Sequence, residues 1–148
     1  MSRRKISDLV QSQVRHRAKQ LCEYCHASEK WQYVKFTIEH TIPIDAGGSD
    51  ELSNLALACF HCNRRKSNHT TGIDPDSNLT VPLFNPRRAL WSEHFIWSTN
   101  GLSIIGLSPT GRATIAALQL NRERILNIRS ADKVVGRHPP EGDRIQKS

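Results

Sequence analysis

The 148-residue chain, 16.8 kDa with 37% hydrophobic and 24% charged residues, has the balance of a globular domain large enough for one core. No apolar run approaches the roughly 20 residues of a membrane span, and Met1-Ser2-Arg3-Arg4-Lys5 opens into a polar amphipathic stretch instead of an apolar leader, so a cytoplasmic protein without a membrane partner is expected. A net charge of +7 and a pI near 9.6 attract polyanions, which becomes informative only beside a site that handles phosphate.

Ile6, Leu9, Val10, Val14, Ala18 and Leu21 recur at helical spacing behind Ser7 and Asp8, predicting a helix over 6–21 that delivers Cys22. Residues 31–38, rich in aromatic and β-branched side chains, predict a strand running into Glu39-His40, and Pro43 with Gly47-Gly48 predicts a loop. Leu55-Ala56-Leu57-Ala58 reads as a second short strand, followed by a helix over 60–68. Residues 70–85 read as a surface connection, in which Asp74-Pro75-Asp76 is better explained by an Asx turn than by a cation site.

Residues 91–97 and 102–107 resemble two strands about an Asn100-Gly101 turn. Ser108-Pro109 supplies cap and first position for a helix to about residue 118, and Asn121 caps another to about 129. Residues 130–148 lack apolar periodicity, contain Pro139-Pro140, and are expected to be disordered. The expected organisation is a basic arm (1–5), a core unit (6–69), a connecting loop, hairpin and helices packed on it (70–129), and the tail. Trp31, Trp91 and Trp97, each in a strand-like run, are expected in the core.

The four cysteines fall as Cys22-x-x-Cys25 and Cys59-x-x-Cys62. In a reducing compartment two such knuckles suit zinc, whose four-sulfur sites are coordinatively closed and stabilise folds without doing chemistry. Between the pairs lie Glu39-His40-x-x-Pro43, Gly47-Gly48 and Asn54-Leu55, and the second pair runs into Asn63-x-x-Lys66. That string, from Cys22 to Lys66, resembles the HNH endonucleases, the zinc-stapled branch of the ββα-metal nucleases. Beyond it, Val81-Pro82-Leu83-Phe84-Asn85-Pro86-Arg87, Trp91, His94-Phe95 and Thr110-Gly111-Arg112-Ala113 resemble a segment that accompanies the motif in one bacterial HNH subgroup, with no chemistry assigned to it.

The resemblance implies an α+β fold with a ββα core, a Zn²⁺ site at the four cysteines, and metal-dependent hydrolysis of DNA phosphodiesters leaving 5′-phosphate and 3′-hydroxyl ends. By carry-over, Glu39 and Asn63 ligate one divalent ion, His40 is the general base and Asn54 ties the loop that holds the His40 ring. The chemistry is sensible on its own terms. An imidazole, whose ordinary pKa lies near 6.5, accepts a proton from water at neutral pH. A carboxylate and an amide oxygen are hard donors that favour Mg²⁺ or Mn²⁺. Where many relatives carry His, this chain has Asn63, and His61 and His69 lie close enough in sequence to be considered as nitrogen ligands.

Arg64, Arg65 and Lys66, on the helix that carries Asn63, are the expected DNA-backbone contacts, with Arg87, Arg88, Arg112, Arg122, Arg124 and the N-terminal arm as further candidates. The alternative from a different class is a non-catalytic zinc-ribbon module binding nucleic acid through the same basic helix, which has no use for Glu39-His40 or Asn63. Target specificity, strand number and oligomeric state stay open.

Overall fold

The computed structural model describes residues 6–148, so the basic arm lies outside the described residues. It is a mixed α+β structure of three two-stranded antiparallel sheets among five helices. The first helix, α1 (Asp8–Arg17), begins where expected because the Ser7 side chain accepts from Val10 N. It stops four residues short of Leu21, since Lys19 and Gln20 take positive φ and turn the chain toward the first cysteine pair. Val14 on its inner face is buried against the core, while Arg15 reaches Glu29 at 3.2 Å and the Phe36 carbonyl at 2.9 Å.

The strand expected from residue 31 is confined to β1 (Thr37–His40). Residues 29–31 form a 3-10 turn instead, and Tyr33 and Val34 are exposed. Trp31 is also exposed, its ring covered only by the Arg137 guanidinium at 4.2 Å, so its expected place in the core is corrected. A β-prone stretch lacking a partner strand along its length cannot become a strand. Only 37–40 meets one: β2 (Leu55–Ala58) pairs antiparallel with Glu39 opposite Ala56 and His40 opposite Leu55. Every residue of β2 is buried, which explains its unbroken run of apolar side chains. Helix α2 (Phe60–Lys66) follows immediately, capped by the Cys59 sulfur.

The 70–85 connection carries a hairpin, β3 (Thr71–Ile73) and β4 (Thr80–Pro82), whose turn is the Asx turn expected at Asp74: its Oδ1 accepts from Asp76 N at 3.1 Å. Asp74 is fully buried because the Arg112 guanidinium bonds both its oxygens, at 2.9 and 3.0 Å. Residues 91–97 divide into a helical turn, α3 (Trp91–His94), and β5 (Phe95–Trp97), which pairs with β6 (Ile104–Gly106). Helix α4 (Pro109–Leu118) has its Ser108 cap and Pro109 at its start as expected. It packs against α2, β3 and β6.

Helix α5 (Glu123–Val134) runs past the expected end, and Asn121 does not cap it: its amide bonds both backbone groups of Ile104. The expectation of a disordered tail is also corrected. Asp143 accepts from Trp97 Nε1 and meets His26, Gln146 N bonds the Trp97 carbonyl, and His138 meets the Gly101 carbonyl. These contacts use short polar side chains and backbone groups, so apolar periodicity gave no sign of them. Trp97 is fully buried; Trp91 is half-buried and stacked on His26.

Candidate active site and metal centre

The four cysteine sulfurs converge, all within 4.8 Å of one another, with Cys25 Sγ 3.8 Å from Cys59 Sγ. Tetrahedral zinc with Zn–S bonds of about 2.3 Å requires sulfurs about 3.8 Å apart, so the cluster is of a size and donor type to hold it. Burial pushes the Cys22 thiol well above its ordinary range, whereas hydrogen bonds from the neighbouring thiols hold Cys59 well below. A dication binding there would displace the thiol protons. Nearby, Arg129 is buried, its guanidinium donating to the carbonyls of Leu102 and Leu120 and lying 4.9 Å from the Trp97 ring centre. Burial lowers its pKa to about 10, partly offset by the field of the thiols of Cys25, Cys62 and Cys59.

Strand β1, the loop that follows it and the C-terminal part of α2 border a cleft of about 450 Å³, lined among others by Glu39, His40, Asp45 and Asn63. The structure thus brings three of the four expected active-site residues to one cavity. Asn54 stands behind it, buried, with its whole amide engaged. Its Oδ1 accepts from Thr41 Oγ1 (2.8 Å) and Ile42 N (2.9 Å), and its Nδ2 donates to the carbonyls of Ile42 (3.0 Å) and Ser49 (2.8 Å). These bonds clamp both ends of the loop that follows His40. Gly48 is part of the clamp: a Cβ there would stand 1.8 Å from the Ile42 carbonyl oxygen and 2.8 Å from Asn54 Nδ2.

Around His40 and Glu39 lie partners that motif spacing did not reveal. His40 Nε2 is 2.6 Å from Asp50 Oδ1. Asp50 follows Gly47-Gly48-Ser49, and its place ten residues after His40 was the one available signal. Glu39, only 5% exposed, accepts a hydrogen bond from the buried Tyr24 hydroxyl and pairs with Lys66 Nζ at 3.6 Å. Burial pushes the Glu39 carboxyl above its usual value, opposed by the Lys66 ammonium and the Tyr24 hydroxyl. Glu39 and Asn63 both line the cleft and carry hard oxygen donors, and two protein partners leave a carboxylate with lone pairs to spare, so the residue types fit a Mg²⁺-like ion.

Several basic candidates change character. Lys66 is 3% exposed, held by Glu39 and the Thr41 carbonyl, and is not a surface contact for DNA. Arg65 is exposed but tied to the Ala117 carbonyl, leaving Arg64 as the exposed basic side chain of α2 without such a tether among the described residues. Arg87 pairs with Glu23, and Arg112 with Asp74 and Asp76, so both serve the fold. His61 turns to α4, its Nε2 on the Leu118 carbonyl at 2.8 Å, and neither it nor His69 lines the cleft.

No helix among the described residues is long and apolar enough to cross a membrane. A comparison with curated proteins returns no relative of the chain. The HNH endonuclease family model matches residues 22–69, the stretch that holds both cysteine pairs, the β1–β2 hairpin and α2. Residues 22–69 therefore match the HNH endonuclease domain, a nuclease-type unit, and contain a four-cysteine cluster that could hold a metal ion.

Proposed function

We propose that the protein is a metal-dependent DNA endonuclease that hydrolyses phosphodiester bonds at the cleft between β1, the loop after it and α2. The observation that carries this reading is the convergence of Glu39, His40 and Asn63 on one cavity, with the His40 imidazole held by Asp50.

Each side chain has a definable task. With its ring held by Asp50, His40 takes a proton from the attacking water, and the Asp50 carboxylate stabilises the imidazolium that results. Glu39 and Asn63 hold one Mg²⁺ or Mn²⁺ ion, which supplies positive charge to the reacting phosphate. Tyr24 and Lys66 fix the Glu39 carboxyl in its buried position and oppose the upward push of burial on its pKa. Asn54 and Gly48 shape the loop so that His40 faces the cleft. Arg64 draws the DNA backbone toward α2. The four cysteines hold Zn²⁺ and staple the hairpin to the preceding turn.

A zinc-ribbon module that only binds nucleic acid would gain nothing from a buried Glu39–Lys66–Tyr24 network beside a held histidine. Incubation of supercoiled plasmid with the purified protein and Mg²⁺ or Mn²⁺, against a chelator, tests the reading. Relaxed circles formed only with metal, carrying 5′-phosphate and 3′-hydroxyl ends at the nick, are expected. A shift in mobility without any broken strand would leave the binding module as the function.

A further inference from the structure

The segment that accompanies the motif between residues 81 and 112 builds a second cavity of about 490 Å³. This cavity shares a wall with the catalytic cleft. From the stretches 39–45 and 63–71, the cleft takes His40, Pro43 and Asn63, while the second cavity takes Thr41, Ile42 and Lys66. One layer of chain therefore separates the two. The far side is supplied by Leu83, Phe84, Asn85, Arg88 and His94.

The chemistry of that far side is one-sided. Arg88 brings positive charge, the Lys66 ammonium on the shared wall is already paired with Glu39, and no lining residue brings a carboxylate. Arg88 is exposed and makes no ion pair among the described residues. Asn85 Oδ1 already accepts from Arg87 N at 2.9 Å, so its Nδ2 is left to donate. Ser108 Oγ accepts from Gly111 N at 2.9 Å and lies 2.6 Å from His94 Nδ1, so Nδ1 is engaged by the cap and, in the tautomer with its proton on Nε2, His94 would offer the cavity a donor. His94 is fixed there because α4 presses its backbone: a Cβ on Gly111 would lie 2.2 Å from the His94 carbonyl oxygen. Against these donors stand the apolar side chains of Leu83 and Phe84.

A ligand matching this set is flat and apolar on its face, rich in acceptors at its edge and negatively charged at one end. A nucleotide has that form, and the cavity lies within the volume range of small-ligand sites, roughly 300–1,000 Å³. We propose that this cavity receives a nucleotide extruded from the DNA held in the neighbouring cleft, its base against Leu83 and Phe84, its edge acceptors meeting Asn85 Nδ2 and His94 Nε2, and its phosphate meeting Arg88. Extrusion trades stacking and pairing for these contacts, and the exchange is easiest at a mismatched or modified base. The cavity thus selects where the strand is cut. This proposal rests on the nuclease reading of the cleft.

The test is fluorescence of 2-aminopurine, which brightens when unstacked, walked along one strand of a short duplex bound to the His40→Ala protein, whose chemistry is stopped. Brightening at one register from the site of binding is expected, reduced roughly tenfold by His94→Ala and by Asn85→Leu. His94→Gln, whose amide N–H replaces the donor, should restore it. Wild-type protein that cuts plasmid while no register brightens overturns the proposal and leaves the nuclease reading intact. Failure to cut plasmid at all counts against the nuclease reading instead. A second arm titrates the free deoxynucleoside monophosphates by saturation-transfer NMR: binding of these without brightening in any duplex makes the cavity a mononucleotide site and also overturns extrusion.

Discussion

At the scale of single residues, the active site depends on side chains whose partners lie far away in sequence. The string Glu39-His40, Asn54 and Asn63 was legible because it is compact and ordered. Asp50, Tyr24 and the burial of Lys66 were not, because spacing along a chain does not say which groups a fold turns inward. Asp50→Ala should lower kcat by about 10- to 100-fold with KM little changed, as expected of a residue that orients a catalytic group, and steady-state cleavage kinetics check the split. A fall confined to KM would make Asp50 a binding residue. Lys66→Met strands the Glu39 carboxylate in a buried setting and should cost about 3–5 kcal/mol in urea unfolding, much of it recovered in the Glu39→Gln/Lys66→Met double variant. Full stability of Lys66→Met would return that lysine to the set of DNA contacts.

At the scale of elements, β2, α2 and α4 were readable because each satisfies its own local rule: an apolar run, a cysteine knuckle and a Ser-Pro start. The failures share a cause. Residues 31–36 have strand composition but no strand beside them, and 91–94 coil into a turn because the Glu93 side chain caps the Leu90 N–H. The tail is ordered by tertiary contacts alone. In the loop after His40, Gly48→Ala forces the Ile42 carbonyl and the Asn54 amide apart. It should reduce cleavage about as much as Asn54→Ala does while leaving the circular dichroism of the helices unchanged. Retained activity would remove the loop clamp from the site.

At the scale of the whole molecule, a four-cysteine cluster able to hold a metal ion, the buried Arg129 guanidinium and an anchored tail tie three small sheets together. Cys59→Ser, or removal of the ion with a strong chelator, should abolish cooperative melting, because structural zinc supplies much of the folding free energy of such units. The tail adds a pH dependence. Burial holds the His138 pKa below its ordinary 6.5, with the hydrogen bond to Gly101 opposing, so the unfolded chain binds the proton more readily. The contribution is fully present above pH 6.5 and is lost as pH falls from there toward the folded value. His138→Gln should flatten that part of the melting-temperature profile relative to wild type; parallel profiles would assign the dependence elsewhere. The central claim, that residues at the β1–α2 cleft hydrolyse DNA, meets its most direct test in one comparison: single-turnover strand cleavage by wild-type and His40→Ala proteins in Mg²⁺, at matched zinc content and matched DNA occupancy. Metal-dependent nicking by the wild type and loss of at least two orders of magnitude in the variant is the expected result for a general base. Equal cleavage by the two would contradict it.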